Sequence, residues 1–508
     1  MSAPSEPEKY SIDQMMDRLK NRPEEDPIED GELVIRADGS QAIRVRKKKR
    51  RSHQPHKEER RNQRRARMIQ VSAALILLLL ALFGAGIAIV FANSAPFRED
   101  LIKKTSLCSG AAAELQQFRM NPTSANASAL TLTWPEGNVL GNLTARGLNA
   151  EISPVSFLGK SMCGEEVSAA EGTLTLRIPR EDKPSREVPA PEGNLPIRFN
   201  QYTIPKFNLL VGDPANPEIR LRNSEATFVP QSPTERPQLL LSRGDIIING
   251  WPKLRLDRSH IEFRDAEADI VGMRLRHETD PRGVFELSGT IAPYASDRAS
   301  TLAVQLDSYL VSGIAGPELG RLFSGRIDTV SSAESNYLSF TPGVEPASSL
   351  SVTFRNSLAN SLEINGFSFL SGLSQSLDDD WFAHPIFDSE VRGVLLRANG
   401  NLSLGNLNLE NKGRMAIRGM VSMAPNRALS GELEVGVAEG MIKTSENPRL
   451  ESLFGPPRDG FRWITLTISG NANSPADNFK TLYESSIKSG TPSPAEQIPS
   501  FEDLTRPK

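Results

Sequence analysis

His260, His277 and His384 follow an apolar segment at residues 71–92 and are too scattered to form a spaced metal-ligand motif. Asp378-Asp379-Asp380, ahead of Trp381-Phe382, offers oxygen ligands for a divalent cation, although such runs are more often solvated loops. Ser485-Ser486-Ile487-Lys488 fits Ser-x-x-Lys but lacks the companion motifs that acyl-transfer chemistry requires. No Walker loop, Gly-x-Gly-x-x-Gly, His-Glu-x-x-His or Gly-x-Ser-x-Gly occurs in the chain. The expectation is a non-enzymatic protein with no cofactor and no metal. Cys108 and Cys163 are the two cysteines. In an oxidising compartment they would form one disulfide, stabilising by a few kcal/mol; the alternative is two thiols that fall there by chance.

The elements that carry these side chains are arranged around the apolar segment. Val71 to Ala92 runs 22 residues without a charge. As a helix it would reach about 33 Å, close to the hydrocarbon thickness of a bilayer. Residues 41–67 hold 13 basic against 2 acidic side chains, while Asn93-Ser94-Ala95-Pro96 follows the segment. This asymmetry predicts a cytoplasmic arm over 1–67, a transmembrane helix over 68–92 and everything later across the membrane. A cleaved signal peptide is disfavoured by the length of the charged region ahead of the apolar run. Arg60, Arg61, Arg64, Arg65 and Arg67 are read as topology and anionic-lipid contacts, worth about 1 kcal/mol each near the surface. Nucleic acid is not expected, because the basic stretch has no aromatic residue for stacking. The arm is expected to be largely disordered, apart from a short helix capped by Ser11 with Ile12, Met15, Met16 and Leu19 on one face.

Beyond the apolar run the period changes to two. Leu130/Leu132/Trp134, Leu174/Leu176/Ile178, Ile246/Ile248, Leu254/Leu256, Ile261/Phe263, Leu302/Val304/Leu306 and Leu433/Val435/Val437 alternate with polar residues. That is the pattern of antiparallel strands with one apolar face, punctuated by glycine and proline. Few helices are expected: one from Phe97 to about Phe118, and one opened by Ser474-Pro475. Pro184, Pro189, Pro191 and Pro196 mark a loop or linker, and residues 489–508 a disordered tail.

These features resemble the AsmA-like family of bacterial envelope proteins. The likeness is carried by Asn93-Ser94-Ala95-Pro96-Phe97-Arg98, by Leu132-Thr133-Trp134-Pro135, by Gly147-Leu148-Asn149-Ala150 and by Glu171-Gly172-Thr173-Leu174. Late in the chain it continues through Leu429-Ser430-Gly431-Glu432-Leu433, Gly460-Phe461-Arg462-Trp463 and Pro475-Ala476-Asp477. The resemblance implies a long, curved, groove-like β-sheet holding acyl chains on its apolar face. It also implies a role in envelope lipid handling or outer-membrane homeostasis. Leu174, Leu176, Leu433 and Val435 are then candidate lipid-facing residues. Alternation alone fits a closed core equally, which would make the protein an envelope scaffold or adaptor.

The expected organisation is a β module over 93–183, a Pro-rich segment over 184–196 and a β-rich region over 197–480, all periplasmic. The inner membrane is the expected partner, with phospholipid and envelope proteins admitted. An alkaline-phosphatase fusion after Lys508 should be active and one at Arg44 inactive; the opposite pattern would overturn the orientation.

Overall fold

The computed structural model describes residues 32–44, 55–153, 162–178, 197–232, 235–264, 267–292, 299–331, 334–341, 348–356, 361–445 and 447–486. The Ser11 helix, the basic run at 45–54, the Pro-rich segment at 184–196 and the tail at 489–508 lie outside the described residues. So do the side chains of Arg60, Arg61, Arg64, Arg65 and Arg67, whose backbone lies in a helix.

Two compact units divide at Leu82/Phe83. In the first, β1 (Glu32–Ile35) and β2 (Gln41–Arg44) form a hairpin. Helix α1 (Pro55–Ala92) contains the apolar run Val71–Ala92, of mean hydropathy 2.9 and long enough to cross a membrane. The second unit is mainly β, in one large mixed sheet. Helix α2 (Ala95–Ser109) opens it, then β3 (Ala112–Gln116), β4 (Arg119–Met120), β5 (Ser124–Thr133), β6 (Leu140–Ile152) and β7 (Met162–Leu176). Next come β8 (Ile197–Asp213), β9 (Asn216–Val229), β10 (Gln238–Ser242), β11 (Asp245–Ile248), β12 (Leu254–Arg264), β13 (Glu267–His277), β14 (Val284–Ile291) and β15 (Ser300–Asp307).

The later part adds β16 (Tyr309–Leu310), α3 (Ser312–Leu322), β17 (Phe323–Thr329), β18 (Tyr337–Phe340), β19 (Ser348–Asn356) and β20 (Leu362–Ile364). Helix α4 (Ser368–Leu377), β21 (Ile386–Phe387), β22 (Glu390–Ala398), β23 (Asn401–Asn411), β24 (Met415–Met423) and β25 (Leu429–Ala438) follow. Helices α5 (Glu439–Thr444) and α6 (Pro448–Leu453) precede β26 (Pro457–Arg458), β27 (Phe461–Asn471), β28 (Ser474–Asp477) and α7 (Phe479–Ser485).

One pairing departs from the antiparallel expectation: β7 and β8 run parallel, with Val167 opposite Tyr202 and Leu174 opposite Leu209. Parallel neighbours need a crossover rather than a tight hairpin, and residues 177–196 supply its length. The sheet is therefore continuous across the Pro-rich segment, with β7 and β8 bonded to each other on its two sides.

Bulges run through the strands. Register shifts fall between Ile204 and Phe207 in β8, Leu256 and Arg258 in β12, and Ile270 and Met273 in β13, while Asn223 in β9 has φ 54°. Each extra residue flips the alternation, so β12 turns Leu254 and Leu256 inward, then Ser259 and Ile261. Without the bulge, half of each strand would present its apolar residues to the wrong face.

The two helix expectations change in extent. Gly110, at φ 67°, ends α2 eleven residues after Glu99, and the chain to Phe118 becomes a strand. Ser474-Pro475 lies in β28, paired with β27 across a two-residue turn, because proline is tolerated on an edge strand. The short helix starts after Asn478 instead.

Between β14 and β17 a buried ion pair closes the core. Arg326 donates to both carboxylate oxygens of Asp280 at 2.7 and 2.8 Å and to Ser308 O at 2.6 Å, while Arg282 N and Gly283 N also donate to Asp280. These bonds hold the Asp280 carboxyl below its ordinary value, Arg326 contributing most. Arg326→Met should cost about 3–5 kcal/mol in chemical denaturation, because Asp280 is left buried and unpaired. A depressed folded-state pKa gives stability that is present above the unfolded value and lost as pH falls through the folded one. The difference between wild type and Asp280→Asn should therefore shrink as pH falls below about 4.

Candidate functional site

The inward faces of the strands join into a lateral apolar row. Ala125 in β5 faces Ala150 in β6, which faces Val167 in β7. The row continues through Tyr202, Phe228, Leu239, Ile261 and Ile270 on β8, β9, β10, β12 and β13. It extends through Gly289, Leu302, Leu338 and Leu350 to Arg397 in β22. From Val167 to Ile261 are four strand steps, or about 19 Å. Aromatic rings brace this stretch, with centroids 6.2 Å apart for Phe199–Tyr202, 6.1 Å for Tyr202–Phe228 and 6.4 Å for Phe228–Phe263.

Coverage of the row is uneven. Val167, Tyr202, Phe228, Leu239 and Ile261 are half-buried, whereas Leu350 is wholly buried. The difference arises from the helices: Ile314 and Leu319 of α3, Phe369 and Leu373 of α4, Ile442 of α5, Leu450 of α6 and Tyr483 of α7 all pack into the later core with no exposure. Leu433 and Val435 lie inside that core at 0% exposure. Leu174 and Leu176 sit half-buried on β7, and Leu174 packs against the edge of the same cluster.

The earlier end of the row meets the last turn of α1. Asn93 holds this junction: its amide nitrogen donates to Met120 O at 2.7 Å and to Ile89 O at 2.8 Å, and its carbonyl oxygen accepts from Met120 N at 2.8 Å. Ala92, Leu101, Ala125, Ala150, Ile152 and Phe199 form one small core there, with Phe97, Val167 and Tyr202 packed on it. Phe97 stacks on Phe118 and meets Phe91 edge-on.

Arg397 is the charged residue of the row. It is 7% exposed, while its neighbour Leu396 points outward at 44%. The guanidinium donates to Ile314 O at 2.7 Å and to Gly250 O, and lies 4.7 Å from the Trp251 ring centre. Burial without a carboxylate partner pushes its pKa down to about 10. The arginine ties β22 to α3 and to the turn after β11, three parts of the chain that share no strand pairing.

The cysteines are not brought together. Cys108 ends α2, where Trp134 Nε1 donates to Ser109 O at 2.9 Å. Cys163 begins β7, where its carbonyl accepts from Ser153 N at 2.8 Å. These places lie at opposite ends of the β5–β6 pair, nine residue steps or about 30 Å apart along β5, whereas a disulfide needs Cα atoms within about 7 Å.

Of the remaining candidates, Asp379 caps the turn Asp380–Ala383 through Trp381 N and pairs with Arg414 at 3.2 Å. His384 lies beside Asn365, at 2.9 Å. Among the described residues no group of three or more His, Cys, Asp or Glu side chains is placed to hold a metal ion. Comparisons with family models, curated proteins and solved structures find no match for this chain.

Arg397→Met should destabilise the full-length protein by about 2–4 kcal/mol, because two buried carbonyls lose their donor. Arg397→Lys should restore little, since a point charge cannot reach both carbonyls and stack on Trp251. Equal stability of wild type and Arg397→Met in urea melts would show that the arginine is not a tie.

Proposed function

We propose that this protein is a non-enzymatic, inner-membrane-anchored envelope protein that accepts phospholipid acyl chains along the half-buried row between Val167 and Ile261. The observation that carries this reading is the row's position. It starts against the last turn of the apolar helix, where Ala92, Phe97 and Tyr202 share one small core. Its length of about 19 Å is comparable with the ~15 Å of hydrocarbon in one bilayer leaflet. The basic flank of the helix supports a cytoplasmic N-terminus and a periplasmic sheet. Leu174 and Leu176 belong near this path. Leu433 and Val435 have no exposed surface for a chain to touch, which favours ordinary core there. That closed later core supports a second reading, in which the far part of the sheet is a rigid scaffold for envelope partners.

A photo-crosslinking residue at Tyr202 or Phe228 should capture phospholipid from membranes, and one at Leu433 should not. Phe228→Glu should keep the fold, costing no more than about 2 kcal/mol because a half-buried charge reaches solvent, yet lose lipid capture at Tyr202. Leu433→Glu should unfold the domain. Absence of lipid at both Tyr202 and Phe228 in the unmutated protein would remove the lipid reading and leave the scaffold.

A further inference from the structure

The face opposite the apolar row carries a cavity of about 760 Å³ that crosses six strands, from Glu225 in β9 to Gln305 in β15. Its lining includes Ser242, Arg258, His260, Arg274, Glu286 and Gln305, which alternate along their strands with the inward Leu241, Leu287 and Val304 that also border it. At its centre Arg258 and Arg274 stand directly opposite each other in register. Like charges in that arrangement repel, and a sheet ordinarily avoids them.

The nearby carboxylates are shared unevenly between the two: Arg274 has ion pairs and Arg258 has none among the described residues. Glu225 is engaged by Arg243 and by Ser242 Oγ at 3.0 Å. Asp257 accepts from Arg276 at 2.5 Å and also pairs loosely with Arg274 Nε at 3.7 Å, as Glu286 does at 3.9 Å. Arg258 makes no ion pair among the described residues. Arg274 Nε and His260 Nε2 are both buried atoms without a hydrogen-bond partner, the latter 3.7 Å from Glu262.

From the opposed arginines, from Arg258 having no ion pair among the described residues, and from the cavity that both arginines line, we infer that this dish binds a phosphate-bearing anion. Two guanidinium forks facing one space suit the tetrahedral oxygens of phosphate better than a single carboxylate. A lipid headgroup and a free phosphate share this chemistry. The dish lies on the other face from the acyl row, so its failure would leave the lipid reading standing.

The test is thermal melting of the full-length protein in detergent at low ionic strength. Inorganic phosphate is compared with chloride of equal ionic strength, and short-chain phosphatidylglycerol with short-chain phosphatidylcholine. Wild type should gain about 2 °C or more from phosphate or phosphatidylglycerol at a tenfold excess over Kd. A gain from phosphatidylglycerol alone assigns the headgroup, and one from inorganic phosphate assigns a free anion. Arg258→Gln should melt at or above wild type in chloride, since repulsion is relieved, and both Arg258→Gln and Arg274→Gln should lose the phosphate response. Should either glutamine variant fail to fold, Arg258→Lys keeps the charge but not the fork and should bind about tenfold more weakly. No shift in wild type, or an equal shift in wild type and the variants, overturns the inference.

Discussion

A sheet of this length depends on keeping one face apolar from its first strand to its last. The hydrogen-bond ladder fixes the neighbours, and a slip of one residue would turn a whole strand inside out. The bulges are what satisfy this condition over strands of up to 17 residues, such as β8. They absorb the mismatch between strand length and twist, and they keep Tyr202 and Ile204 on the same side as Phe207 and Leu209. The apolar row, the helix-filled later core and the polar dish on the reverse face all follow from that sidedness.

Much of the strand content is legible in the sequence, because alternation over Leu302–Leu306 or Leu433–Val437 needs no tertiary information. The bulges leave a trace too: Leu254/Leu256 and Ile261/Phe263 are two alternating runs out of phase by one residue. Register is another matter. Nothing local says that β7 and β8 pair in parallel, since their partners are chosen across a crossover whose own residues are uninformative. Gly110 stops α2 by adopting φ 67°, a left-handed cap that glycine takes without strain and that is a local signal.

The alternation of the candidate residues is readable in the sequence, but what covers them is not. Leu174, Leu433 and Val435 look alike as alternating residues, yet the latter two lie wholly buried in the core into which the helices pack, and helix docking is a long-range fact. Arg397 follows two leucines and reads as a strand's outward charge; the phase of Val391, Gly393 and Leu395 turns it inward. Asn93 appears in the sequence as a polar residue after an apolar run. Its role comes from Met120, 27 residues later, whose backbone it pairs as a strand would.

Asp477 links two late events in the chain's history. Its carboxylate accepts from Ser368 Oγ at 2.7 Å and Phe369 N at 3.0 Å, so the start of α4 is held by a residue more than a hundred positions further on. Phe479 and Tyr483, wholly buried, come later still. A chain emerging N-terminus first can zip its early hairpins as they appear, since β5 pairs with β6 and β8 with β9. The later core has no such option: α4 and the strands around it must wait, with Phe369, Leu370 and Leu373 uncovered, until Tyr483 arrives. That interval is when a holdase chaperone would find this half of the molecule exposed.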